Sequence, residues 1–218
     1  MTRAAHPPDT RRQEHWESVY SDTNAPEASW YQASPDVSLR LIQAAAAGLG
    51  GLGSAVVDAG GGTSRLAGTL AGAGFTDVTV VDVCGQALAT ARHDNAARDS
   101  IDWVQADLLQ WRPRRCYRIW HDRAAFHFLT TAADRAAYFA TVRSALPAGG
   151  TIIIGTFAAD GPEKCSGLPV ARYGHESLAT EVAAAFGSAV TITGRDTEAH
   201  SAPSGTVQPF TWITARLR

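Results

Sequence analysis

Between residues 54 and 157 the chain alternates short runs of consecutive apolar residues with segments whose apolar positions recur every three to four residues. The runs at 54–58 (SAVVD), 77–82 (DVTVVD), 101–105 (IDWVQ), 117–121 (YRIWH) and 151–157 (TIIIGTF) predict strands. TIIIGTF, apolar at nearly every position, has the pattern of a strand covered on both faces. The segments between them at 65–73, 86–98 and 133–145 predict helices. A further helix is expected at 36–47 (DVSLRLIQAAAA), with Ser34 or Asp36 as its cap, Leu39, Ile42 and Ala46 on one face, and Gly48 as its stop. After a Gly- and Pro-containing loop at 158–172 come a helix at 175–186 and strands near 188–195 and 206–217. No helix separates these last two, so they should form a hairpin. Strand–helix alternation implies a mostly parallel sheet with helices on both faces, joined by right-handed crossovers. The expected architecture is a three-layer α/β sandwich with a seven-stranded sheet that ends in an antiparallel hairpin.

The N-terminal text differs. Residues 1–12 are polar and contain Pro7-Pro8, which predicts a loosely held tail. Residues 15–31 (HWESVYSDTNAPEASWY) carry two Trp and two Tyr among turn formers, with too few regularly spaced apolar residues for an independent helix pair. Such rings need a surface, either as a plain hydrophobic staple or as a lid. The expected division is a tail and aromatic lid at 1–34 and one domain at 35–218.

Composition narrows the partners. With 45% apolar and 18% charged residues the chain reads as globular. No apolar run reaches the roughly 18–20 residues of a membrane span, and residues 1–15 lack a secretory hydrophobic region. A net charge of −2 and scattered arginines give no polyanion-binding face, and the basic cluster at 112–118 reads as a solvated turn. No nucleic-acid or membrane partner is therefore expected. Cys84, Cys116 and Cys165 form no CxxC motif and cannot all pair, which suits a reduced, cytoplasmic protein.

The first predicted strand runs into Asp58-Ala59-Gly60-Gly61-Gly62-Thr63-Ser64. A strand-to-helix turn that lays a ligand against its backbone needs residues without a Cβ, and Gly60 and Gly62 meet that need. A dinucleotide turn would carry a third glycine where Arg65 stands, and Asp58 would repel a pyrophosphate. Asp82 closes the second strand, where a carboxylate either accepts both ribose hydroxyls or caps the next helix. Asp107 follows the third strand, where it is either an acceptor for an adenine amino group or an exposed loop acid.

The run VVDAGGGTSRLA…VTVVDV…VQADLL…YRIWHDRAAFHFL…LPAGGTIIIGTF resembles the class I S-adenosylmethionine-dependent methyltransferases, in detail over about residues 35–160. Gly61 departs mildly from the family pattern, in a slot usually held by a small residue or Cys. The resemblance implies a Rossmann-like fold that binds S-adenosylmethionine and releases S-adenosylhomocysteine. It implies donor contacts at Trp30, Asp58, Gly60, Gly62, Asp82, Val83, Asp107, Leu108 and His121. A protein-lysine methyltransferase, a nucleotide-binding oxidoreductase and an inactive scaffold are the alternatives.

In this fold the acceptor should sit above the ends of the fourth and fifth strands. His121 and His127 are the candidate bases, an imidazole titrating near neutrality, although His121-Asp122-Arg123 can equally tie the strand end to the next helix. Tyr20, Arg123, Arg172 and Tyr173 are candidate acceptor contacts, Arg172 being either a carboxylate clamp or one half of a surface ion pair. Cys165, Glu198 and His200 match no standard zinc spacing, so no metal is expected. With no added recognition domain or basic face, the expected acceptor is a small molecule.

Overall fold

The computed structural model describes residues 10–22, 25–96 and 98–218. Pro7-Pro8 and most of the expected loose tail lie outside the described residues. The described chain runs α1 (Thr10–Asp22), α2 (Asp36–Ala47), β1 (Val56–Ala59), α3 (Leu66–Gly72), β2 (Val78–Asp82), α4 (Gly85–Asp94), β3 (Ile101–Gln105), β4 (Ile119–Arg123), α5 (Ala132–Ala145), β5 (Thr151–Phe157), the short β6 (Lys164–Cys165) and β7 (Leu168–Pro169), α6 (His175–Phe186), β8 (Val190–Ser201) and β9 (Val207–Leu217).

The main sheet has seven strands in the order β3-β2-β1-β4-β5-β9-β8. β1 to β5 are parallel, and β9 runs antiparallel to both β5 and β8. Period-two alternation divides each central strand between two cores. Ile152 and Ile154 of β5 join a cluster with Tyr138, Val142, Leu178 and Val182 of α5 and α6. Ile153 points the other way, into a cluster with Ile42 of α2 and Leu66 and Leu70 of α3. This two-sided burial explains the unbroken apolar run of β5.

Chain order reverses between β1 and β4, which leaves a crevice at the carboxyl ends of the strands, where open α/β sheets bind ligands. Strand alternation also sorts the His121-Asp122 pair. Ile119 and His121 face α2, whereas Trp120 and Asp122 face α5.

Several expected boundaries shift. β4 begins at Ile119 and not at Tyr117, because its pairing with β1 starts at Val56↔Ile119 while Tyr117 N–H is bound to Ala145 O. α4 ends at Asp94, short of the expected Arg98; the Asn95 side chain takes the Ala91 carbonyl at 2.8 Å and competes with the helix ladder. No side chain caps α2, whose N-cap is Pro35, and Ser34 Oγ bonds Asp36 instead. The largest correction is at the N-terminus, where residues 10–22 form a helix. Gln13 and Glu17 bond at the i,i+4 spacing, and Trp16 and Tyr20 stack one turn apart, which offsets the scarcity of apolar residues. Among the described residues no helix is long and apolar enough to cross a membrane.

Candidate active site

A cleft opens above the carboxyl ends of β1 to β4, roofed by one face of α1. Arg12, Trp16 and Tyr20, spaced four residues apart, line it from above, and Trp30 to Gln32 close one side. The turn after β1 forms its floor. Gly60 (φ 71°) and Gly62 (φ 49°) occupy the left-handed region, which a side chain rarely tolerates. A Cβ on Gly61 would lie 2.7 Å from Asp58 Oδ2, so only glycine leaves room beside that oxygen.

Asp58 is buried and makes one strong contact, between Oδ1 and His121 Nδ1 at 2.8 Å. His121 Nε2 lies 3.0 Å from Ser38 Oγ of α2, so both ring nitrogens are engaged. Trp212 packs over the ring with centroids 5.8 Å apart. Asp58 Oδ2 is buried with no hydrogen-bond partner. A buried carboxylate oxygen in that state suits a cationic or N–H-bearing ligand group. Ser38 escaped the sequence reading, yet it left a signal: a polar residue on the face of α2 that also carries Leu41 and Ile42.

Asp82, at the end of β2, is buried at the cleft wall. Burial pushes its carboxyl up to about 6, against the opposing pull of the Cys84, Gly62 and Val83 amides. Its Oδ1 accepts the Cys84 N–H at 2.8 Å, while the cap of α4 is the Cys84 thiol. Tyr20 reaches down from α1 to the same place, where a Cβ on Gly62 would run into its hydroxyl. Burial raises the phenol's pKa well above its ordinary value, and nearby Asp82 adds to the shift. Asp107 also lines the cleft, with Oδ2 accepting from Arg12 Nη1 at 2.7 Å and Oδ1 accepting its own turn's Leu109 N–H at 2.9 Å. Val83 and Leu108 complete that wall.

At the other end Arg123 is nine-tenths buried. Its Nη1 donates to Trp30 O at 3.2 Å and its guanidinium lies 4.5 Å from the Phe210 ring centre. Desolvation lowers its pKa, and Glu198, with Oε1 3.5 Å from Nη2, opposes that shift. Asp122, on the opposite face of β4, accepts the Tyr138 hydroxyl at 2.7 Å and the amides of Ala125 and Phe126. Ala124, at φ 68°, makes the bend that brings those amides back to it. The His-Asp-Arg triplet therefore does tie the strand end to the following turn, through Asp122.

The structure does not bring every candidate to the cleft. His127 lies behind it, edge-on to Phe128 and tilted against Phe157, its Nδ1 accepting a long bond from Phe157 N–H. Burial, with a smaller contribution from Arg123, lowers its pKa to about 3. Arg172 is a surface ion pair with Glu163 that also bonds Gly161 O, and Tyr173 is packed in the core against Phe126. Cys165 reaches the cleft rim from β6. His200 instead bonds Ser29 O, and among the described residues no three His, Cys, Asp or Glu side chains gather as a metal site.

Residues 56–150 match the family model of a methyltransferase domain. A methyltransferase from Anabaena variabilis shares 17% identity over 100% of this chain and 99% of its own, with a TM-score of 0.74. The N-methyltransferase NodS from Bradyrhizobium japonicum, solved with S-adenosylhomocysteine, shares 16% over 96% of this chain and 99% of its own, at 0.70. A Burkholderia thailandensis 1,6-didemethyltoxoflavin-N1-methyltransferase shares 19% over 99% and 93%, at 0.68. At these identities the structural likeness establishes the fold. No curated protein sequence matches the chain.

Proposed function

We infer that this chain, a class I S-adenosylmethionine-dependent methyltransferase, transfers the donor's methyl group to a small-molecule nucleophile. The observation that carries the reading is the set of three carboxylates on adjacent strand ends, Asp58, Asp82 and Asp107, around a side-chain-free turn with Asp58 Oδ2 left unpartnered. These groups fit the donor's parts in strand order. Asp107, with Val83 and Leu108 beside it, would meet the adenine, Asp82 the ribose hydroxyls, and Asp58 with Gly60 and Gly62 the methionine end. A pyrophosphate would find carboxylates where it needs N–H donors, which disfavours a dinucleotide.

S-adenosylmethionine supplies an electrophilic methyl on a sulfonium, so the protein's work is alignment and exclusion of water. His121, tied at both nitrogens, holds Asp58 in place and acts as a positioning residue. His127 is assigned to packing. His127→Asn should lower the melting temperature and leave the pH dependence of turnover between 5 and 8 unchanged; a shifted profile would return it to the chemistry.

The lid expected over residues 1–34 is represented among the described residues by α1 and the segment at 25–34, and no helix among the described residues is long and apolar enough to cross a membrane. The small size of the acceptor follows from a cleft roofed by that short helix, and the small-molecule enzymes among the structural relatives support it. Calorimetry provides the test: S-adenosylmethionine should bind and NAD should not. The reverse order of affinities would move the chain to the oxidoreductases, and donor binding without methyl transfer to any small acceptor would favour an inactive scaffold. Because the leaving group is already a sulfonium, turnover should survive prolonged EDTA. Loss restored by a single added metal would bring Cys165, Glu198 and His200 back as ligands.

A further inference from the structure

The unexplained group in the cleft is Arg123. A guanidinium can only donate, through five N–H bonds. Nη1 donates to Trp30 O, whereas Nε and Nη2 are buried with no hydrogen-bond partner. Glu198 is the nearest anion and pairs with the guanidinium at 3.5 Å from Nη2, a separation too long to satisfy the buried N–H groups there. Its Oε1 is taken by the Gln32 amide and its Oε2 by the Trp212 indole at 3.0 Å, so it is held back from the fork. The charge is matched only at a distance and buried N–H groups without acceptors are costly, while the side fork of Nε and Nη2 fits the two oxygens of one carboxylate.

Position fixes which ligand would supply them. The donor reading places adenine, ribose and methionine above β3, β2 and β1. Arg123 ends β4 on the far side, beside Phe210 of β9. Rings cover the space next to it. Trp16 meets Phe128 edge-on at 5.0 Å and Trp30 at 6.2 Å, and all three line the cleft. Such walls favour a flat apolar ligand.

We propose that the acceptor is a planar aromatic carboxylate, its ring held among Trp16, Trp30 and Phe128 and its carboxylate bound by Nε and Nη2 of Arg123. This deepens the methyltransferase reading and rests on it.

Calorimetry on the full-length protein tests it, first titrating S-adenosylhomocysteine and then, into the loaded protein, indole-3-carboxylate, indole-3-carboxamide and indole-3-methylamine. The carboxylate should bind about tenfold or more tightly than the other two, the ratio expected of a charge-assisted pair. Arg123→Ala would strand Glu198, so the variants are Arg123→Lys and the double variant Arg123→Met, Glu198→Gln. Both should keep their affinity for S-adenosylhomocysteine and lose the preference for the carboxylate. Equal binding of the three probes, no binding of any, or a preference that survives both variants overturns the proposal while leaving the donor reading intact. Failure of S-adenosylhomocysteine itself to bind overturns both.

Discussion

Asp82→Asn should weaken donor binding by roughly 10-fold to several thousand-fold, since charge-assisted hydrogen bonds contribute about 1.5–3 kcal/mol each and the position can accept two. The same variant should also melt at a higher temperature than the wild type at pH 7 without ligand. The sign follows from linkage. Burial raises the Asp82 carboxyl from 3.8 in the free chain to about 6 in the fold, so the folded state binds a proton more readily between those values. As pH rises through that window the ionising carboxylate must be held desolvated, and stability falls. A shift of that size corresponds to at most about 3 kcal/mol, lost in full above pH 6. Asn cannot ionise and keeps an oxygen for the Cys84 amide, so it avoids this cost. The variant's advantage should shrink to nothing by pH 4, where wild-type Asp82 is itself protonated. Thermal melts at pH 4 and 7, with S-adenosylhomocysteine calorimetry at pH 7, check both halves. A folded variant that binds within about threefold of wild type would reduce Asp82 to a local acceptor for the α4 turn.

Much of this arrangement was legible from the text of the chain, and the misses have identifiable causes. β3, β5 and α6 fall at their expected residues because each has a clear period and a clear stop. The glycine turn and the acids at 58, 82 and 107 were readable because strand ends in a parallel sheet share one edge, so sequence order translates directly into spatial order. Side-chain direction across β4 was harder. His121 and Asp122 are neighbours in sequence but face opposite layers, and only the partners Ser38 and Tyr138 reveal which faces which. His127 and Tyr173 looked functional because polar and aromatic residues near a strand end are ambiguous until burial is known. The N-terminal helix was missed because its ordering comes from contact with the cleft and with α4, not from an apolar face of its own. Its signal was present as Arg12, Trp16 and Tyr20 at successive i,i+4 positions, a stripe of cleft-facing residues and not of core residues.

Removing α1 should abolish turnover while leaving the domain folded. No residue of α1 is fully buried, so it lacks the large buried side chains that stabilise the other helices by about 1.5–3 kcal/mol each. Its attachments include Arg12 on Asp107 and Asp134, Ser21 on Gln86, and the Trp16 and Tyr20 rings against Phe128 and Trp30. Every one of those rings lines the cleft. A helix packed mainly on the walls of a cleft should open and close at low cost, and a donor bound beneath it would add the surface it lacks. The cut belongs before Ala25, because Ser29 O and Trp30 O serve His200 and Arg123 in the body of the domain. The truncated protein should retain its cooperative melt, bind S-adenosylhomocysteine about tenfold or more weakly through loss of the Trp16 and Tyr20 faces, and turn over at least about a hundredfold more slowly for want of alignment. In the intact protein, tryptic cleavage at Arg11 and Arg12 should slow on adding S-adenosylhomocysteine. Near-full activity after truncation, or cleavage indifferent to ligand, would make α1 a packing element and remove the lid from the mechanism.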